Sequence, residues 1–174
     1  GDIGILVRKN DRAQRVANAL ARRGISAKVR SDYSVFKTQT ALHCERLLRG
    51  VLMPHEDETF KSALSVPLLG LTASEVREQA DGLRDLFLEV HGQWFNQSLA
   101  TAFQTFLYHP DLKLTQRILR QPDGAQHLTY LMHVIERVQS ESSRLQLGPE
   151  LALQWLREKR LVEDEETEEV DQIR

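Results

Sequence analysis

Two spacings of apolar residues divide the chain. Ile3, Ile5, Leu6 and Val7 form a short run that ends at Arg8-Lys9-Asn10, and a second short run spans Ile25 to Val29 after Gly24. Runs of this length on either side of a helical pattern predict two buried strands joined by a helix. From Ser34 onward the spacing is helical. Ser34 predicts the N-cap of a helix whose Ala41, Leu42, Leu48 and Leu52 recur until Met53-Pro54 stops it. A shorter helix is expected over 58–65, ended by Pro67, with Gly70 permitting a turn. Thr72-Ala73-Ser74-Glu75 then reads as a capping box that opens the next helix.

Further stripes follow: Leu83, Leu86, Phe87 and Val90; Leu99, Phe103, Phe106 and Leu107; Leu114, Ile118 and Leu119. The clearest is Leu128, Leu131, Met132, Ile135 and Val138, which is the face of an amphipathic helix. Gly148-Pro149 opens a last helix with proline at its first position, expected to bury Leu151, Ala152, Trp155 and Leu156. The pattern predicts a mainly α protein, a bundle of about seven helices preceded by a small βαβ fragment. Its expected boundaries are 1–33 for the βαβ piece, 34–162 for the helical part and 163–174 for an acidic linker.

Composition changes this picture little. At 174 residues, 41% hydrophobic and 28% charged, the chain has the make-up of an ordinary globular protein. No apolar run approaches the roughly 20 residues of a membrane span, and no signal-peptide core is visible, so no membrane association and a cytoplasmic setting are expected. The single Cys44 has no partner for an internal disulfide. Charge is uneven. Residues 163–171 hold seven acids, and without 163–174 the chain carries 22 Lys or Arg (23 less Arg174) against 18 Asp or Glu (25 less seven). The acidic run reads as a solvated disordered linker. The other end is basic, with eight Lys or Arg against two Asp in residues 1–30.

That basic stretch resembles the motif IV region of the UvrD/RecB-like superfamily 1 DNA helicases, in which a hydrophobic strand ends in an arginine and feeds a helix. Ala13, Val16, Ala19, Leu20, Gly24 and Ile25 match the helix pattern. Residues 34–76 are similar to the segment that leaves the second RecA-like motor domain in RecB-like members, and the chain from there up to 126–142 and 148–160 to their helical 2B insertion, so the resemblance covers nearly the whole chain. The resemblance implies a fragment of an ATP-dependent DNA helicase and exonuclease subunit of exodeoxyribonuclease V type, acting in double-strand break repair and recombination. It implies DNA and RecC- and RecD-like subunits as partners, and ATP with magnesium as cofactors of the longer protein.

On this resemblance Arg8 would reach the γ-phosphate of ATP, where a guanidinium stabilises charge during phosphoryl transfer. Taken alone, Arg8 reads as a solvated strand-end charge. Val7 departs from the UvrD-like members, which often place an adenine-stacking tyrosine there. The fragment itself is expected to be non-catalytic and to bind no cofactor or metal. The phosphate-cradling G-x-x-x-x-G-K-[ST] loop is absent, as are the magnesium-holding acid pair and the nuclease domain. An AddA- or UvrD-like helicase is the alternative within the family. A helical protein-binding adaptor without DNA affinity is the alternative outside it.

Gly70 and Thr72 are the candidate DNA-contacting residues. A glycine turn feeding a helix N-terminus can offer backbone N–H groups to a phosphate, and in UvrD-like relatives a similarly placed loop touches duplex DNA. The competing reading is a hydrophobic corner, because Pro67-Leu68-Leu69-Gly70-Leu71 is apolar and lacks an adjacent Lys or Arg. Ala125 and Gln126 stand where RecB-like chains usually carry an acidic and a basic residue. Other features read blandly. His109-Pro110-Asp111 is a helix stop followed by an N-cap, and His127 and His133, six apart, do not share a helical face. His43 and Cys44 point about 100° apart on a helix, one buried and one exposed, which does not make a nucleophile and its base.

Overall fold

The structure, a computed structural model, describes residues 34–172, with side chains to Leu161, and before them only Ile5, 15–17, 19, 20 and 22–25. The chain divides into two compact units, Gly1–Ser34 and Val35–Arg174. In the first, residues 15–17, 19 and 20 are helical, and Gly24 lies in the left-handed region at φ 75°. Ile25 N–H closes on the Leu20 carbonyl at 3.0 Å. This six-to-one bond is a glycine-dependent helix stop, and it sits at the Gly-Ile pair that the sequence pattern marks. No strand occurs among the described residues: of the two expected buried strands only Ile5 and Ile25 are described, neither in a strand and both exposed, and the rest of those strands and Arg8 lie outside the described residues.

The second unit is helical throughout its described part. A 3-10 turn, Val35–Lys37, leads into α1 (Gln39–Leu52) and α2 (Asp57–Leu64); a second 3-10 turn, Pro67–Leu69, leads into α3 (Ala73–Asn96). Then come α4 (Leu99–Tyr108), α5 (Leu114–Leu119), α6 (Gly124–Leu145) and α7 (Pro149–Gln172). The capping box before α3 forms as expected: Thr72 Oγ1 accepts from Glu75 N–H at 3.2 Å while Thr72 N–H donates to Glu75 Oε2 at 2.7 Å.

Other ends differ from expectation. Thr38, not Ser34, caps α1, because its Oγ1 accepts from Ala41 N–H at 3.1 Å and donates to the Val35 carbonyl at 2.7 Å, closing a 3-10 turn that Ser34 precedes. Asp111 does not cap α5, whose N-cap is Lys113 in the left-handed region. The stretch expected as an acidic linker continues α7 as helical backbone to Gln172. No glycine or proline interrupts it, and glutamate is a good helix former.

α1 is the hub, packing against α2, α3, α6 and α7. Its buried face is Ala41, Cys44, Leu47, Leu48 and Val51. Gly50 completes it, since a Cβ there would collide with Ala63 Cβ of α2 and the Phe87 ring of α3. Beneath that contact, Phe87 stands edge-on to Phe60 at 5.1 Å and to Phe106 at 4.9 Å. Such edge-to-face pairs add about 0.5–1.5 kcal/mol each beyond the area they bury. α3 contributes Leu83, Leu86, Phe87, Val90 and Trp94. α6 packs on α1, α4, α5 and α7.

Three expected core residues face solvent instead: Leu119 at 51%, Met132 at 45% and Leu151 at 54% exposure. Each lies at the edge of its stripe, so the helix turns it just past its neighbours. Val134 is buried in α6 although it lay outside the expected stripe, and Trp155 is half-buried against the Phe36 ring at 5.6 Å.

Candidate nucleic-acid interface at the Gly70 loop

Between α2 and α3, Leu68 and Leu69 drive into the core while Pro67, Gly70 and Thr72 stay exposed. The alternation follows from the 3-10 turn, after which the chain must reverse. Gly70 makes that reversal at φ 58°, ψ 30°, where a β-carbon costs energy. A β-carbon would also stand 3.2 Å from Gln121 Nε2.

Three carbonyls of the loop are hydrogen-bonded by side chains from α5 and the turn just after it. Arg117 of α5 donates through Nη1 to the Gly70 carbonyl at 3.0 Å, through Nη2 to Glu75 Oε1 at 2.7 Å and through Nε to the Leu112 carbonyl at 2.9 Å. Gln121 Nε2 donates to the Pro67 carbonyl at 3.0 Å and to the Leu68 carbonyl at 3.3 Å. The Arg117 hydrogen bond, with those from the Thr72 N–H and hydroxyl, lowers the Glu75 carboxyl to about 2. Glu75 is therefore ionised at neutral pH and its charge is met by Arg117.

The apolar loop thus has a basic residue beside it that its own sequence neighbourhood does not show. Arg117 is 47 residues from Gly70, and no local pattern signals the pairing. Gly70 and Thr72, the two candidates from sequence, do lie in one exposed loop. Arg8 lies outside the described residues.

The remaining candidates are brought to structural roles. Cys44 is fully buried, and burial pushes its thiol well above the ordinary range, so it is no nucleophile. Half-buried His43 is lowered by burial first, then by Arg46 and His127. His127 Nδ1 is paired with Thr40 Oγ1 at 3.0 Å. Gln126 Nε2 donates to the Tyr130 hydroxyl at 2.6 Å. His109 Nδ1 is buried without a hydrogen-bond partner. Among the described residues no group of His, Cys, Asp or Glu could hold a metal ion. No described helix is long and apolar enough to cross a membrane.

No family model matches the chain. It is 27% identical over 157 residues to the RecBCD enzyme subunit RecB of Mycobacterium tuberculosis, covering 90% of this chain. It is 25% identical over 169 residues to the RecB subunit of Escherichia coli K12, covering 89% of this chain. With the Haemophilus influenzae subunit it shares 27% over 161 residues. The chain spans only 13 to 14% of the length of these relatives. Its similarity is that of a piece of RecB, matched along about nine-tenths of this chain.

Proposed function

We propose that the chain is a non-catalytic segment of an ATP-dependent DNA helicase and exonuclease subunit of RecB type, acting in double-strand break repair and recombination. The similarity to RecB subunits along 90% of the chain carries this reading. In it, residues 1–33 belong to the second motor domain, and the helical unit steers duplex DNA or partner subunits resembling RecC and RecD. Gly70 and Thr72 face the duplex. Arg8 meets the γ-phosphate of ATP, which with its magnesium is held by parts of the longer protein. The net positive balance of residues 1–162, 22 basic against 18 acidic, suits a polyanionic partner.

Two experiments test the reading. Arg8→Ala in a full-length RecB-like protein carrying this segment is expected to cut ATP turnover by about a thousandfold with nucleotide binding kept; unchanged turnover removes Arg8 from that role. The 174-residue chain itself is expected to bind duplex DNA with an affinity that falls steeply with salt. Salt-insensitive or absent binding favours the protein-binding adaptor.

A further inference from the structure

We propose that His43, Arg46 and His127 form an anion subsite on the seam between α1 and α6, one that takes a phosphate group. It draws on no residue of the Gly70 loop and does not rest on the DNA-facing reading of Gly70 and Thr72. Along α1, Thr40, His43 and Arg46 follow one another at three-residue intervals, so their side chains are neighbours on one flank. The row climbs from core to solvent: Thr40 is buried, His43 half-buried and Arg46 exposed. α6 meets the row at its foot, where His127 Nδ1 lies 3.0 Å from Thr40 Oγ1. That contact engages one ring nitrogen of His127 and leaves Nε2 as the other.

The three basic groups have no counter-charge among the described residues. Glu45, two residues after His43, points to the opposite flank of α1, where it holds Arg160 of α7 at 2.7 Å. Asp123, one turn before His127, meets it through its carbonyl, not its carboxylate. No hydrogen bond within the described residues occupies the His43 ring or the Arg46 guanidinium. Burial first, then Arg46 and His127, lower the His43 imidazole, and no carboxylate on α2, α3, α6 or α7, the helices packed against α1, offsets them. Like charges gathered on a half-buried imidazole cost stability, and an oxyanion held between them turns that repulsion into attraction. N–H donors arriving from two helices suit the tetrahedral oxygens of a phosphate, whereas a carboxylate offers two oxygens in one plane.

The test uses the whole 174-residue chain and inorganic phosphate, followed through the imidazole proton signals of His43 and His127 near neutral pH. Phosphate is expected to move both sets of signals together and saturably, with a dissociation constant on the order of a millimolar. It is also expected to raise the midpoint at which His43 titrates, because an anion favours the protonated ring. Arg46→Gln changes an exposed side chain that forms no ion pair, so the fold is kept, and phosphate binding should weaken about tenfold. Acetate at the same ionic strength should leave the signals in place. No saturable shift with phosphate, an equal response to acetate, or wild-type affinity in Arg46→Gln overturns the subsite.

A DNA duplex of about 20 base pairs separates the two sources of that phosphate. Displacement of bound phosphate by the duplex, with duplex affinity reduced in Arg46→Gln, assigns the subsite to a nucleic-acid backbone. Phosphate binding undisturbed by the duplex assigns it to a small phosphate-bearing ligand. Either result keeps the phosphate chemistry and differs only in its carrier.

Discussion

At the turn before α2, Arg84 donates to the Pro54 carbonyl and to Asp57 Oδ1 at 2.6 Å, with its guanidinium 4.3 Å over the Phe60 ring. At the turn after α2, Arg117 likewise joins a loop carbonyl to the carboxylate of the helix that follows, Gly70 to Glu75. The chemistry repeats, but the surroundings do not. The first turn is rimmed by exposed Glu56, Asp57 and Glu58, and its Pro54 is buried. The second has one carboxylate, met by Arg117, and an exposed left-handed glycine. An arginine beside a turn is therefore no evidence for a phosphate; the charges at the rim distinguish the two.

The largest effect is expected where the first turn meets the core. Phe60→Ala removes a fully buried ring that packs on Phe87 and underlies Arg84, and should cost about 3–5 kcal/mol in urea denaturation. A smaller loss would show that the aromatic column collapses around the gap. Next come the two arginines themselves. Arg117→Ala should cost about 2 kcal/mol, because it strips charged hydrogen bonds from partly shielded acceptors. Arg84→Ala should cost about 1 kcal/mol, since its partner Asp57 is largely in water. The reverse order would mean that the cation–π contact outweighs the three-way clamp.

Acid should separate the turns further. Glu75 is lowered from 4.5 to about 2 in the folded chain, so the unfolded chain binds its proton first. Its contribution is complete above pH 4.5 and is lost as pH falls toward 2. Asp57 is lowered as well, chiefly by its hydrogen bond to Arg84, and acts in the same direction. His43, lowered from 6.5, loses its contribution earlier, as pH falls below that value. Urea midpoints measured from neutral to acid pH should fall less steeply below 4.5 in Arg117→Ala than in the parent chain. Parallel curves would remove Glu75 from the acid response. The smallest effect is expected at positions that belong to neither turn nor core: Leu119→Ser and Met132→Gln should each change stability by less than about 0.5 kcal/mol.

Much of this was readable in sequence, for local reasons. The Thr72–Glu75 box closes within one helical turn, and Met53-Pro54 and Gly70 act on their own backbone. Helical spacing found α3 and α4 because their apolar positions fall squarely on one face. It failed at Leu119, Met132 and Leu151, where the stripe's edge depends on which neighbour covers it. The Ser34 cap failed because Thr38 offers a competing hydroxyl four residues on. Arg84 and Arg117 were illegible as clamps, since their carbonyls lie 30 and 47 residues away and no periodicity links an α-helical arginine to a distant carbonyl.

Phe36 meets Trp155 edge-on, and Glu45 holds Arg160 at 2.7 Å with both side chains largely shielded. The turn that opens the helical unit is therefore clasped along the first half of α7, which runs on to Gln172. A unit whose opening turn is clasped by its last helix closes its fold on itself, so its far side can be enlarged or trimmed at exposed loops without opening that seam. That is a geometric licence for divergence: exposed positions away from the Phe36–Trp155 contact can drift in sequence at little cost, while drift at the seam loosens the closure itself.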